Sequence, residues 1–492
     1  MAAKPSRHSA PPSLCRCSPG CRRQPSLSPA ASSRLTRTLL SPETVNLLRA
    51  VPHKFGKRAP ERRSAAAPIV ECVTDGLTEG QEGTTTWVVE EPAEAQPESE
   101  AHPEPEAQPE PEPDVDAGPR VLLLGSDESG RELAAALQRL GAEVITAEAV
   151  VLTDAEELKA VVAALQPDFV VTLPGAFDAP AAVAVLDDLE AGDTELVPGA
   201  RAVRLTADRE GLRRLAADEL GLPTAPFWFV DSLAELEAVA AHAGYPLLVK
   251  GVDGSGRSVV RDADEVAGAW ELAGAGGRIW AETVVDVEFL VTLIVVRTEG
   301  PSGPVIEFCA PIGHHADDSG ALESWQPQHL TTAAVDAAKS IAARIVKSLG
   351  GRGVFSVGLM INGDEVYFAQ VTAGPTDSAW VTLRSQRLSF FELQARAVLG
   401  VAVDTMMVSP GAARLVDHGP AAPGAAPSGD VLAAALAVPE SDLRVFGSTS
   451  PERPASGTDK WGVALATAPE VGAARDRARD VAARLNVRDS RG

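Results

Sequence analysis

PRVLLLGSDESGRELAAALQRLGAEVITAEAV, residues Pro119–Val150, decides the fold class. Val121–Leu124 is a short apolar run that reads as a buried strand, and Gly125–Gly130 reads as a turn. Arg131–Leu140 places its apolar residues at helical spacing, and AEVITA, Ala142–Ala147, reads as a second strand. Strand, helix and strand in succession form a β-α-β unit, which demands a parallel sheet and an α/β fold. LKAVVAALQPDFVVTLP, Leu158–Pro174, repeats helix then strand. TADREGLRRLAADELGLPTAPFWFV reads as a capped helix that ends at Gly221-Leu222-Pro223.

Beyond it, PLLVKGVDGSGRSVV is a strand, a glycine-rich loop and a strand. GRIWAETVVDVEFLVTLIVV supplies two more strands, and VDAAKSIAARIVKSLGG is a helix closed by glycine. FSVGLMINGDEVYFAQV, Phe355–Val371, is a hairpin around Asn362-Gly363, with Asp364 and Glu365 at the turn. Gly358 and Gln370 interrupt its apolar strands. The chain ends in strand material, Trp461–Ala468, and a helix over Glu470–Leu485.

The 492 residues are 45% hydrophobic, enough for two or three domains with cores. The net charge of −24 argues against nucleic-acid binding, and it is unevenly spread. Residues 1–66 carry +11, residues 67–119 carry −15 without a Lys or Arg, and the remainder carries −20. The basic leader, 1–66, resembles either an organellar transit peptide or translated sequence upstream of a true start. Residues 67–118 end in EPEAQPEPEPDVD and read as an acidic Glu/Pro-rich linker. Cys15, Cys17, Cys21, Cys72 and Cys309 form no disulfide framework, and the leader triplet lacks a fourth metal ligand at a standard spacing. No apolar run reaches the ~20 residues of a membrane span, and no secretory signal is visible. A reducing, cytoplasmic setting is expected.

Three local features carry chemistry. The loop Gly125–Gly130 follows a strand and opens a helix, where backbone N–H groups suit an anion, but Asp127 fills the middle glycine position of a dinucleotide fingerprint. A plain βα turn is the favoured reading of it. Lys250 ends a strand beside a glycine loop, which suits phosphate neutralisation or a solvated surface lysine. His314-His315 have no paired carboxylate at ligand spacing and read as surface or core histidines.

Taken in order, VLLLGSDESGREL, LTADREGLRRLAADELGLPT, FCAPIGHHADDSGALESWQPQ, LGGRGVFSVGLMINGDEVYF, VTLRSQRLSFFELQARAVLG and WGVALATA resemble the formate-dependent phosphoribosylglycinamide formyltransferases, ATP-grasp enzymes of purine synthesis. The resemblance covers about 119–492 and implies a Rossmann-like domain over 119–205, an ATP-grasp domain with its lid over 206–409, a C-terminal domain over 410–492, and a homodimer. In that family ATP phosphorylates formate, and the amine of glycinamide ribonucleotide attacks the formyl phosphate.

Carried over by position, the resemblance implies ATP contacts at Arg209, Lys250, Glu282 and Val285, and substrate contacts at Glu128, Asp377 and Lys460. The family's two Mg²⁺-binding glutamates fall on Gly358 and Gln370. Leu290 stands at the ribose glutamate, two residues after Glu288, and Gly175, Gly374, Ser448 and Asp459 replace further charged positions. The expectation is a divergent homologue that binds ATP weakly, holds Mg²⁺ poorly and has impaired or lost formylation. An active formyltransferase with displaced ligands, and a non-catalytic dimerisation partner of an active relative, stay open as alternatives. A nucleotide or another small molecule is the expected ligand, with neither nucleic acid nor membrane as partner.

Overall fold

The computed structural model describes residues 49–50 and 118–485, apart from 126, 148–154, 175–185, 187–188, 191, 253–255, 275–276, 318–319, 418–426 and 447–459. The leader apart from 49–50, the acidic tract through 117, and positions Gly175, Ser448 and Asp459 lie outside the described residues.

The first sheet contains β1 (Arg120–Leu124), β2 (Glu143–Ala147), β3 (Phe169–Thr172) and β4 (Glu195–Val197). They run parallel in the order β2-β1-β3-β4, and Arg49–Ala50 pairs antiparallel at the β2 edge. Both faces of β1 are covered. Val121 and Leu123 pack with Leu133 and Leu137, whereas Leu122 and Leu124 pack with Leu158. That double burial explains why the strand is apolar throughout and does not alternate. Helix α1 spans Glu128–Arg139, so it begins three residues before the expected start. Asp127 causes the difference: its carboxylate accepts from the Gly130 amide at 2.8 Å as an N-cap.

The expected single helix at TADREGLRRLAADEL is divided. Ala200–Ala207 stops at Asp208, whose carboxylate caps a new helix α2, Arg209–Arg214, through the Gly211 amide at 2.9 Å. A π-helical turn, Leu215–Glu219, follows directly. The second sheet contains β5 (Phe227–Val230), β6 (Leu247–Gly251), β7 (Arg257–Val260) and β8 (Ile279–Thr283), in the order β5-β8-β6-β7.

The third sheet has nine strands. Its central strand is β9 (Phe289–Gly300), flanked by β10 (Gly303–Phe308), β11 (Ile312–Ala316) and β13 (Gly353–Asn362). β12 (Leu322–Gln326) pairs with β11, and β14 (Glu365–Thr372) with β13. β15 (Gly411–Asp417), β16 (Ser441–Val445) and β17 (Lys460–Thr467) continue the same sheet beyond β12. Helix α3, Thr332–Leu349, buries Ile341, Ile345 and Leu349 against β9, β13 and β14. The C-terminal helix α4, Val471–Leu485, is tied on by charge: Arg475 and Arg479 reach the fully buried Glu323 of β12 at 3.0 and 2.9 Å. Burial raises the Glu323 pKa, but the two guanidiniums outweigh it and hold the carboxyl below the usual range.

The hairpin expected at Phe355–Val371 is β13–β14, with a shifted turn. Asn362 pairs with Glu365, so Gly363-Asp364 forms the two-residue loop, and Gly363 takes the positive φ of 58° that the loop needs. Among the described residues no helix is long and apolar enough to cross a membrane. Phe355 is fully buried in the α3-facing core. Phe355→Ala is expected to cost about 3–5 kcal/mol, read as a lower urea midpoint with an unchanged slope.

Candidate active site

A cavity of about 680 Å³ opens where the second sheet hands over to the third, and its lining includes Glu282, Val285, Glu288, Leu290, His314 and Met360. This size suits a nucleotide-sized ligand. Its polar corner is built around Glu282. Lys250 of β6 donates to Glu282 Oε1 at 3.1 Å, and Arg213 of α2 donates to Oε2 at 3.1 Å. Lys250 Nζ also lies 3.9 Å from the centre of the Trp280 ring. Strand pairing sets this geometry, because Leu248 lies opposite Glu282 and Lys250 opposite Trp280. Burial lowers the Lys250 pKa, Glu282 opposes that shift, and Arg213 and Arg257 add to it. Burial likewise lowers the pKa of Arg213.

Two of the four expected ATP positions, Lys250 and Glu282, are thus in direct contact, and Val285 lines the same cavity. Arg209 is not part of this cluster. It opens α2 and is exposed, while Arg213, one helical turn on, is 2% exposed. Arg213 was missed in the sequence. The available signal was a charged residue between Leu212 and Leu215, both buried on the apolar side of DREGLRRLA.

Of the substrate positions, Asp377 and Lys460 form an ion pair, which joins the turn after β14 to the start of β17. Glu128 pairs with Arg131 on α1. Gly374 has φ 137°, and a Cβ there would lie 2.7 Å from Pro174, so the backbone leaves no room for a side chain.

The hairpin brings Gly358 and Gln370 face to face, as the expected metal ligands should be. The ladder register shifts beside Gly358, so Phe368 is fully buried while Gln370, two residues on, is exposed. A Cβ on Gly358 would sit 3.0 Å from Gln370 Cγ, so a side chain there requires the exposed stem at 370 to shift by a few tenths of an ångström. The nearby acids are engaged. Glu288 Oε2 accepts from the Gly363 amide at 3.3 Å, Asp364 accepts from Thr331, and Asp377 is held by Lys460. Mg²⁺ demands anionic oxygens in octahedral array. A glycine and a neutral amide do not fit that pair of ligands.

Fold and site together define an ATP-grasp protein, and residues 215–391 match the ATP-grasp domain family. Over 391 residues the chain is 44% identical to the formate-dependent phosphoribosylglycinamide formyltransferase of Rhodococcus jostii, an alignment covering 74% of this chain and 94% of the relative. It is 42% identical over 393 residues to the Corynebacterium glutamicum enzyme of the same name, covering 75% and 94%. The chain belongs to the formate-dependent phosphoribosylglycinamide formyltransferase family. Among solved structures it is similar to glycinamide-RNase-transformylase T from Mycobacterium tuberculosis, with TM-score 0.64, 60% identity, and coverage of 75% of this chain and 100% of that one. N5-carboxyaminoimidazole synthase from Aspergillus clavatus shares the fold at 20% identity and TM-score 0.63, covering 75% of this chain and 99% of that one.

His314 pairs with Leu290 across β9–β11, and burial, helped by His315, drives its pKa down to about 4. A folded value below the unfolded 6.5 means that the unfolded chain binds the extra proton. Stability is therefore expected to fall as pH drops from 6.5 toward 4 and then to lose no more from this group. Thermal melts across that range should show the loss, and His314→Gln should flatten it.

Proposed function

We propose that the chain binds ATP in this cleft and formylates glycinamide ribonucleotide with formate, the reaction named for its relatives. The observation that carries the reading is the Lys250–Glu282–Arg213 cluster at the polar corner of a nucleotide-sized cavity. Lys250 is the group to neutralise phosphate, with Val285 against the base. The γ-phosphoryl group passes to a formate oxygen, leaving ADP. The substrate amine then attacks the formyl carbon and phosphate departs. Positioning and charge carry most of such a transfer. In this reading the protein is a cytoplasmic homodimer, and the Asp377–Lys460 pair marks the ribonucleotide end.

A second reading rests on Gly358 and Gln370: the chain binds the nucleotide, without a carboxylate-held cation at that pair, and does not formylate. Purified protein with ATP, Mg²⁺, formate and glycinamide ribonucleotide separates the two by mass spectrometry of the product. Formylated product, reduced at least ~100-fold by Lys250→Ala, is the expected result. ATP binding without product supports the second reading, and no nucleotide binding overturns both. In the second case, Gly358→Glu with Gln370→Glu is expected to create Mg²⁺-dependent nucleotide binding, read by calorimetry.

A further inference from the structure

Arg213 makes contacts that a lysine-sized or apolar residue could not reproduce. Its Nη1 donates to the carbonyls of Phe368 at 2.9 Å and Ala369 at 3.3 Å, on the bulged side of β14 immediately before Gln370. Its Nη2 donates to the Ala225 carbonyl at 3.4 Å, just ahead of β5, and to Glu282. The guanidinium lies 5.2 Å from the centre of the Phe227 ring and 5.1 Å from that of Trp280. One buried fork therefore touches the third sheet, the connection into the second sheet, and the carboxylate that holds Lys250. Burying a guanidinium this deeply is costly unless each contact is made well.

We propose that Arg213 is the positioning residue of the nucleotide cleft: by occupying Glu282 Oε2 it turns Oε1 toward Lys250, and by gripping the β14 bulge it fixes that pair against the third sheet. The inference rests on the nucleotide reading above, but it concerns the geometry of Lys250 and can be tested without nucleotide. Four groups set the charge environment of Lys250: Glu282, which accepts a hydrogen bond from its ammonium, Arg213 and Arg257, which repel it, and the Trp280 ring beside it. Removing Arg213 takes away one repulsion and leaves both Glu282 oxygens to the lysine. The titration of Lys250 should then move to higher pH. Removing the Glu282 charge should move it the opposite way.

The test is the pH dependence of Lys250 acetylation by an amine-reactive reagent, followed by peptide mass spectrometry, in the full chain and in Arg213→Met, Arg213→Lys and Glu282→Gln. The expected result is a midpoint shifted up in Arg213→Met and down in Glu282→Gln, with Arg213→Lys between wild type and Arg213→Met. An unchanged Lys250 midpoint in folded Arg213→Met overturns the proposal. If that variant does not fold, Arg213→Gln, which also removes the charge, carries the same decision, and a midpoint identical to wild type overturns it. ATP affinity measured on the same proteins keeps the two ideas apart. Arg213→Met should weaken ATP binding by ~10-fold or more, which corresponds to about 1.4 kcal/mol. A wild type that binds no ATP but shows the paired midpoint shifts removes the nucleotide reading and leaves the positioning role standing.

Discussion

Glu282 lies between two cations in a place with little water, and the rest of the cleft is arranged around that fact. A buried carboxylate with one partner removed is a serious liability, on the order of 3–5 kcal/mol. Here both oxygens are used, by Arg213 from α2 and Lys250 from β6. Lys250 and Glu282 come from two strands of the second sheet and Arg213 from α2, and because Arg213 also donates to the β14 carbonyls the cluster aligns α2, the second sheet and the third-sheet hairpin. Phe227 and Trp280 complete the surroundings as rings beside the cations. Of the three, Glu282 itself lines the cavity, and Lys250 stands behind it on the neighbouring strand.

The hairpin shows a different kind of constraint. Its bulge turns Gln370 outward while Phe368 stays in the core, and Arg213 grips the carbonyls on that bend. The backbone thus sets two positions opposite one another on the hairpin, with no side chain at Gly358 and an uncharged amide at Gln370. Gly374, pressed against Pro174, shows a similar fit of backbone to a missing side chain.

Much of the architecture was legible because local signals and tertiary demands agree. VLLL is apolar on consecutive residues since both faces of β1 are covered, and the helix over Thr332–Leu349 follows its own apolar spacing. Start points were less legible. Asp127 and Asp208 act as N-caps, so one helix begins early and another is split, although both residues were in plain view. The continuation of the third sheet through β15–β17 depends on long-range pairing that no local pattern announces. At the site, Lys250 was legible as a strand-end lysine beside a glycine loop and Glu282 only through resemblance, because 32 residues separate them and only strand pairing unites them. Arg213 escaped notice since its partners are backbone carbonyls at a bulge 155 residues away, and its one mark in the sequence is a charge set between the buried Leu212 and Leu215.

The central claim is that the Arg213–Glu282–Lys250 cluster is the phosphate-side wall of a nucleotide site. A crystal structure of the full chain with a non-hydrolysable ATP analogue tests it most directly. The account predicts the base beside Val285, a phosphate oxygen within hydrogen-bonding reach of Lys250, and Arg213 still bonded to Glu282 and the β14 carbonyls. A nucleotide seated elsewhere, or a cleft in which Arg213 has let go of Glu282 to bind the phosphates itself, would contradict it.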